Sequence, residues 1–262
     1  MKEHLVNSPN QQGNMKIIVE NDSVQLGKRA SGIIVEKLNE SICRKGTARL
    51  LLSTGASQFN TLKFLVKEKV DWQKVTMFHL DEYIGLDESH KASFCKYLKE
   101  RFGVFIPLGR AVYISGIDDM EKTIAGLNRE INEDYIDIGV IGIGENAHIA
   151  FNDPPADFNT DEPYIVVDLD EKCKQQQVRE GWFETVDDVP KQAITISPKQ
   201  IMKCKSIVSP VPGAVKAEAI RNMLQSGKPD KNIPATILKQ HPDFRLVLDK
   251  DSASLCDLEL LK

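Results

Sequence analysis

The sequence lacks the cysteine patterns of secreted and zinc-binding proteins. Its five cysteines are odd in number, lie far apart and form no C-x-x-C pair, so that neither a disulfide framework nor a zinc site is indicated. We interpret them as reduced thiols, and we expect a cytoplasmic protein without a bound metal. The five are Cys43, Cys95, Cys173, Cys204 and Cys256.

Long apolar runs and an excess of basic charge are also missing. No run of about 18 apolar residues occurs, which excludes a membrane-spanning helix on length. The polar start of the chain, MKEHLVNSPNQQGN, has no apolar stretch of the kind that a secretory signal needs, and we expect residues 1–14 to form a flexible tail. With 38 acidic and 34 basic residues the net charge is -4, which argues against a general nucleic-acid binder. We therefore expect neither a membrane nor a nucleic acid as partner.

The sequence does contain an alternation of strand-like and helix-like segments from Met15 onwards, which is typical of a parallel sheet covered by helices. Apolar residues recur at helical spacing between Leu26 and Ile42. The segment YIDIGVIGIG is almost wholly apolar and β-branched, as expected of a strand buried on both faces. No internal repeat or long linker is present, so we expect residues 15–262 to form a single α/β domain.

In open parallel sheets, ligands bind beyond the carboxyl ends of the strands, and three strands of this chain end in polar clusters. The first cluster is STGAS, residues 53–57, which lies between an apolar strand and a helix. Small hydroxyl residues and a glycine leave backbone N–H groups accessible at a helix start, which suits a phosphate. The alternative is a simple helix cap supplied by Ser57.

The second cluster follows the strand in HLDEYIGL, where Asp81 and Glu82 are adjacent. Neighbouring residues at a strand end point in different directions, so we expect at most one carboxylate to face a ligand while the other makes a structural hydrogen bond. A solvated turn is the alternative for both. We expect His79, within the strand, to be a core histidine.

The third cluster lies in GIGENAHIAFNDP, where Gly142 and Gly144 let the backbone turn off the strand before His148. A histidine placed there can exchange protons near neutral pH, and Asp153 could orient its ring. Alternatively, His148 caps a helix and Asp153 begins an Asx-turn. Lys216, in VPGAVKAEAI, either reaches a substrate anion or faces water.

With these clusters the chain resembles the glucosamine-6-phosphate deaminase/isomerase family, which shares its fold with 6-phosphogluconolactonases. The resemblance implies a Rossmann-like three-layer αβα sandwich with a mostly parallel central sheet, an amino-sugar phosphate as substrate, and neither a metal nor another cofactor. The resemblance does not decide whether the protein forms a homo-oligomer, because family members include monomers and hexamers. The matching motifs, in family order between residues 47 and 241, are LSTGASQFNTLKFL, FHLDEYIGL, IGIGENAHIAFNDP, GAVKAEAI and IPATILKQH.

The family's reaction opens the sugar ring of glucosamine 6-phosphate, moves a proton from C2 to C1, and releases ammonia to leave fructose 6-phosphate. The resemblance assigns the proton transfer from C2 to Asp81, and the proton of the ring oxygen to His148, oriented by Asp153. It also assigns the phosphate to a loop and a lysine, which are Thr54, Gly55, Ala56, Ser57 and Lys216.

Three departures from the family pattern limit the transfer of roles. Asn146 stands where well-known deaminases carry an aspartate, and Asp153 where they carry a glutamate. Asn146 is a candidate catalytic position because the family's aspartate at this position would be a charged partner for His148. Arg179 lies close to the family's phosphate arginine but out of register, and residues 155–190 are the expected lid.

Three other functions stay open beside the deaminase. An asparagine at position 146 resembles the galactosamine-6-phosphate isomerase branch, so the preference at C4 is undecided. A hydrolase like 6-phosphogluconolactonase comes second, because those enzymes typically show arginine where this chain has Tyr83 and an ASLFP-like stretch where it has AFNDP. A non-catalytic sugar-phosphate sensor is favoured by Asn146 alone.

Overall fold

The computed structural model describes residues 3–5 and 15–257. Most of the expected flexible tail, residues 1–14, therefore lies outside the described residues. The described part of it, Glu3–Leu5, is a strand that pairs antiparallel with Met15–Glu20. Among the described residues, no helix is long and apolar enough to cross a membrane.

The described chain forms eleven strands and seven α-helices. The strands are β1 (Glu3–Leu5), β2 (Met15–Glu20), β3 (Ala48–Leu52), β4 (Val75–His79), β5 (Asp81–Tyr83), β6 (Arg110–Val112), β7 (Ile138–Val140), β8 (Tyr164–Asp168), β9 (Gln192–Ile196), β10 (Ser206–Val211) and β11 (Phe244–Asp249). The helices are α1 (Ser23–Lys45), α2 (Phe59–Leu65), α3 (Phe94–Arg101), α4 (Met120–Ile131), α5 (Glu171–Arg179), α6 (Pro198–Ile201) and α7 (Ala217–Gln225).

Eight strands form the central sheet in the order β1-β2-β11-β10-β7-β3-β4-β6. Every pair is parallel except β1 with β2, so the expected mostly parallel sheet is confirmed. The order of the strands reverses between β3 and β7, because β4 and β6 lie on one side of β3 while β10 and β11 lie beyond β7. A reversal of this kind opens a crevice at the carboxyl ends of the strands, which is where ligands bind in such sheets.

Two apolar layers lie on opposite faces of the central sheet, because successive side chains of each strand point in opposite directions. On β3, Leu50 and Leu52 pack in the cluster that includes α1, whereas Leu51 packs in the cluster that includes α4 and α7. Successive residues of a strand point to opposite faces, so both faces of β3 are covered by helices. The three-layer αβα sandwich is therefore confirmed.

Helix α1 begins and ends at specific caps. The Asp22 carboxylate accepts hydrogen bonds from the backbone N–H groups of Val24 and Gln25 at 2.9 and 2.8 Å. Gly46 ends the helix in the left-handed conformation. A Cβ at Gly27 would lie 2.6 Å from Asn60, so only glycine lets α1 approach the start of α2 this closely. This contact fixes the helix that follows the STGAS loop.

A second, smaller sheet is a feature that the sequence did not predict. The segments YIVVD and QAITI are strands as expected, but they pair antiparallel as β8 and β9, with β5 on the other side of β9. Behind this sheet lies an aromatic cluster in which the buried Tyr83 contacts Phe94, Phe151 and Phe183. The expected lid, residues 155–190, contains β8 and α5, and its mobility stays a prediction.

Candidate active site

Polar loops from neighbouring strands surround an open cavity of about 710 Å³ at the carboxyl edge of the central sheet. The loops after β3 and β7 leave the sheet on the two sides of the strand-order reversal, and the loop after β10 lies next to them. Of the sequence-predicted site residues, the structure brings eight to the cavity wall: Thr54, Gly55, Ala56, Ser57, Asp81, His148, Arg179 and Lys216. Asn146 and Asp153 do not line it.

The STGAS loop is a tight turn between β3 and α2. The Ser53 N–H donates to the carbonyl of Val140 at 3.0 Å, and the Gln58 N–H donates to the carbonyl of Gly55 at 3.1 Å. Gly55 has a φ of 97°, which glycine adopts without strain. The alternative role of Ser57 as a helix cap is wrong, because α2 begins after Gln58 without a side-chain cap. The loop therefore presents its small residues to the cavity.

Asp81 and Glu82 divide their roles as the sequence predicts. The Glu82 carboxylate accepts hydrogen bonds from the backbone N–H groups of Phe94 and Cys95, at 3.2 and 2.8 Å, and from the Ser93 hydroxyl at 2.9 Å. It thus occupies the positive end of α3. Asp81 faces the cavity instead.

The Asp81 side chain is almost enclosed, with 5% of the residue exposed. Burial, together with the neighbouring charge of Glu82, holds the pKa of Asp81 well above its ordinary value. A carboxylate whose pKa is raised in this way holds a proton more strongly than an ordinary aspartate, which favours its use as a base that takes up a proton and later returns it. Asp81 is thus suited to proton transfer.

His79, the last residue of β4, lies two residues before Asp81 and is a core histidine, as expected. It is fully buried, and burial lowers its pKa to about 3. Its Nδ1 accepts a hydrogen bond from the Ile114 N–H at 3.4 Å. A neutral, enclosed imidazole of this kind is part of the packing beneath Asp81.

The turn after β7 places His148 at the cavity with Asp153 behind it. Nδ1 of His148 lies 3.1 Å from Oδ1 of Asp153. By hydrogen-bond criteria Nδ1 has no partner, so the two groups are in close contact without a formed hydrogen bond. Burial alone would raise the pKa of Asp153, but its contacts with His148 and Asn146 outweigh burial, and the pKa is lowered. Asp153 is therefore a charged partner for an imidazolium at His148.

Asn146 holds this pair from the side away from the cavity. Its Nδ2 donates to Oδ1 of Asp153 at 3.0 Å, and its Oδ1 accepts from the backbone N–H of His148 at 3.1 Å. The alternatives in which His148 caps a helix and Asp153 begins an Asx-turn do not describe this arrangement. Asn146 forms the Asx-type contact itself.

Gly144 supports the His148 ring from below. A Cβ at Gly144 would come within 2.3 Å of Cε1 and Nε2 of His148. Any side chain at position 144 would therefore displace the imidazole. The glycine fixes the direction of the ring by close approach.

Two cations reach the cavity. Lys216 ends a short 3-10 helix that follows β10, and it is buried, with 6% of the residue exposed, so it does not face water. Burial lowers the pKa of Lys216, while the charges of Glu180 and Glu145 act in the opposite direction. Arg179, the last residue of α5, lies with its Nη2 2.5 Å from Oε2 of Glu145.

Five acidic residues at the cavity wall were not predicted: Asp22, Glu145, Glu180, Asp249 and Asp251. Asp249 ends β11, and its carboxylate accepts from the Gly213 N–H with both oxygens at 3.0 Å. The rule that directed attention to the other strand ends would have identified it. Within the described ranges, no group of three His, Cys, Asp or Glu side chains is placed to hold a metal ion.

Comparisons with known proteins agree with this geometry. A family model described as glucosamine-6-phosphate isomerases/6-phosphogluconolactonase matches residues 21–247. A glucosamine-6-phosphate deaminase of Streptococcus pneumoniae is 34% identical over 244 residues, covering 93% of this chain and 100% of the relative. A Bacillus cereus protein of the same name is 33% identical over 220 residues, covering 84% of this chain and 82% of the relative.

Solved structures show the same similarity. A monomeric glucosamine-6-phosphate deaminase superposes with a TM-score of 0.82 at 30% identity, covering 91% of this chain and 99% of the other. A 6-phosphogluconolactonase from Thermotoga maritima superposes with a TM-score of 0.75 at 17% identity, covering 90% and 100%. At this identity the lactonase shares the fold alone.

Proposed function

Because the chain belongs to the glucosamine-6-phosphate isomerase/6-phosphogluconolactonase family, we propose that it is a glucosamine-6-phosphate deaminase that forms fructose 6-phosphate and ammonia. The observation that carries the proposal is the convergence of three features on one cavity. The cavity is lined by the buried carboxylate of Asp81 and by His148, whose ring lies against Asp153. It is also lined by the loop at residues 54–57 and by the buried Lys216.

The first step is substrate binding and ring opening. The loop at residues 54–57 and the Lys216 ammonium hold the phosphate, as backbone N–H groups and a cation at a helix start do for oxyanions. His148 then transfers the proton between the C1 hydroxyl and the ring oxygen. The negative charge of Asp153 stabilises the imidazole of His148 while the imidazole carries that proton.

The second step is isomerisation and loss of ammonia. Asp81 takes the proton from C2 of the open-chain amino sugar and returns it to C1, while a proton passes from the amino group to the C1 oxygen, which leaves a hydroxyl at C1 and an imine at C2. Water adds to C2, and ammonia leaves with the electron pair of the C–N bond. The overall change consumes one water and produces one ketose phosphate and one ammonia.

The position of Tyr83 supports the deaminase over the lactonase. The lactonases typically carry an arginine at the corresponding position, whereas Tyr83 is fully buried among aromatic rings and does not line the cavity. Amino-sugar catabolism in the cytoplasm, including the use of N-acetylglucosamine, is the setting that we propose for this reaction.

An assay of ammonia and fructose 6-phosphate with glucosamine 6-phosphate tests the proposal. The epimer galactosamine 6-phosphate, assayed in parallel, determines the preference at C4. Release of neither product from either epimer, by protein that still binds inorganic phosphate, would instead support the sugar-phosphate sensor.

A further inference from the structure

An ion pair joins helix α5 to the turn that carries His148. Oε2 of Glu145 lies 2.5 Å from Nη2 of Arg179, and both residues line the cavity of about 710 Å³. The same two residues also line a neighbouring cavity of about 400 Å³, so the pair stands in the wall between the two spaces. Neither Glu145 nor its pairing has a role in the reaction described above.

The charges around this pair are unusual for a site that receives an anion. Lys216, the buried cation, lies within the electrostatic reach of Glu145, Glu180 and Arg179. Two carboxylates, those of Glu145 and Glu180, therefore belong to residues that line the same cavity as the cations that a phosphate would need. Arginine binds carboxylate and phosphate oxygens through the same planar fork, so one group can replace the other.

The pair is also open enough for its partners to exchange. The Arg179 side chain is 56% exposed and that of Glu145 is 29% exposed. Ion pairs that water reaches are worth less than about 1 kcal/mol, because solvent screens them. A phosphate dianion held in addition by the loop at residues 54–57 and by Lys216 can therefore compete for Arg179.

We propose that Glu145 is an internal anion that occupies Arg179 in the free protein and must be displaced by the phosphate of the substrate. Glu145 is then a positioning residue for Arg179, and it sets the affinity for sugar phosphates. The inference deepens the proposed function: it rests on the phosphate site formed by residues 54–57 and Lys216, and it adds Arg179 to that site. It predicts that removing the Glu145 charge tightens phosphate binding through Arg179.

Binding of inorganic phosphate, measured by titration calorimetry on the full chain, tests the inference without turnover. We expect Glu145→Gln to lower the Kd by about three- to fivefold, the range of a partly exposed ion pair. Glu171→Gln is the matched control, since it removes the same charge from an exposed pair with Lys174 on α5, and we expect it to leave the Kd unchanged. The KM for glucosamine 6-phosphate should fall in parallel with the Kd in Glu145→Gln.

The double variant Glu145→Gln with Arg179→Gln distinguishes displacement from a general charge effect. If Glu145 acts through Arg179, the tightening disappears in the Arg179→Gln background. Equal tightening in both backgrounds, or weaker binding by Glu145→Gln alone, would overturn the inference. Tighter phosphate binding by a protein that releases no ammonia would leave the inference standing while the deaminase assignment fails.

Discussion

Asp153 lies behind His148, with Oδ1 3.1 Å from Nδ1 of the ring, while Gly144 lies against the face of that ring. The imidazole is thus held on two sides, by the Asp153 carboxylate and by the backbone of Gly144. Its remaining nitrogen is free to act at the cavity.

Gly144→Ala should displace the His148 ring, because the added Cβ would come within 2.3 Å of it. A shift of about 1 Å in a reacting group costs on the order of 100-fold in rate, and we expect a loss of this size in kcat. Gly126→Ala is the control, since a Cβ there meets nothing within 4 Å in α4. That variant should keep full activity, and equal activity of both variants would contradict the close contact.

Asp81→Asn should raise the stability of the protein. The pKa of Asp81 is raised by burial and by Glu82, so the folded state loses stability as pH rises and this carboxyl becomes charged. Replacing it with an amide removes that cost, and the free energy of unfolding at pH 8 should rise by about 1 kcal/mol in urea titrations. The gain should shrink as pH falls, and a loss of stability at pH 8 would show that the Asp81 charge is not destabilising.

Glu82→Gln should have the opposite effect on stability. Its carboxylate accepts four hydrogen bonds, from the N–H groups of Tyr83, Phe94 and Cys95 and from the hydroxyl of Ser93. A glutamine amide has only one acceptor oxygen, and its NH2 group would face the donors that now bond to the second carboxylate oxygen. Thermal and urea unfolding should show a loss of about 1–3 kcal/mol. Unchanged stability would mean that the carboxylate does not anchor α3.

Asn146→Asp should destabilise the protein in a pH-dependent way. The amide now donates to Asp153 at 3.0 Å, and a carboxylate in its place would repel Asp153. Repulsion raises the pKa of the carboxyl pair in the folded state, so stability should be lost as pH rises through that pKa. Unfolding measured from pH 4 to pH 8 checks the sign, with Asn146→Ala as the control that lacks the added charge. A variant as stable as the wild type at pH 8 would show that the site already accommodates an aspartate.

The sequence identified the strand ends that line the cavity because the physics involved is local. Apolar runs such as YIDIGVIGIG predict buried parallel strands, and the carboxyl ends of neighbouring parallel strands must meet at one edge. The residues at those ends, Asp81 and His148 among them, could therefore be found without knowing the tertiary structure. The division of roles between Asp81 and Glu82 followed from the alternation of side chains along a strand.

Features that depend on tertiary contacts could not be found in this way. The direction of the Asn146 amide depends on a turn in which Ala147 adopts a φ of 65°. The pairing of β8 and β9 with β5 in a separate sheet depends on the aromatic cluster behind them. The ion pair of Arg179 with Glu145 joins residues 34 positions apart and follows from the place where α5 docks. No periodicity in the sequence marks any of these three.

Turnover of glucosamine 6-phosphate by Asp81→Asn, compared with the wild type, tests most directly whether the cavity brings a proton-transferring carboxylate to a bound sugar phosphate. We predict that the wild type releases one ammonia for each fructose 6-phosphate, while Asp81→Asn binds inorganic phosphate with the same Kd and releases neither product at a measurable rate. Ammonia release by Asp81→Asn at the wild-type rate would contradict the role of Asp81 and the arrangement of the site around it.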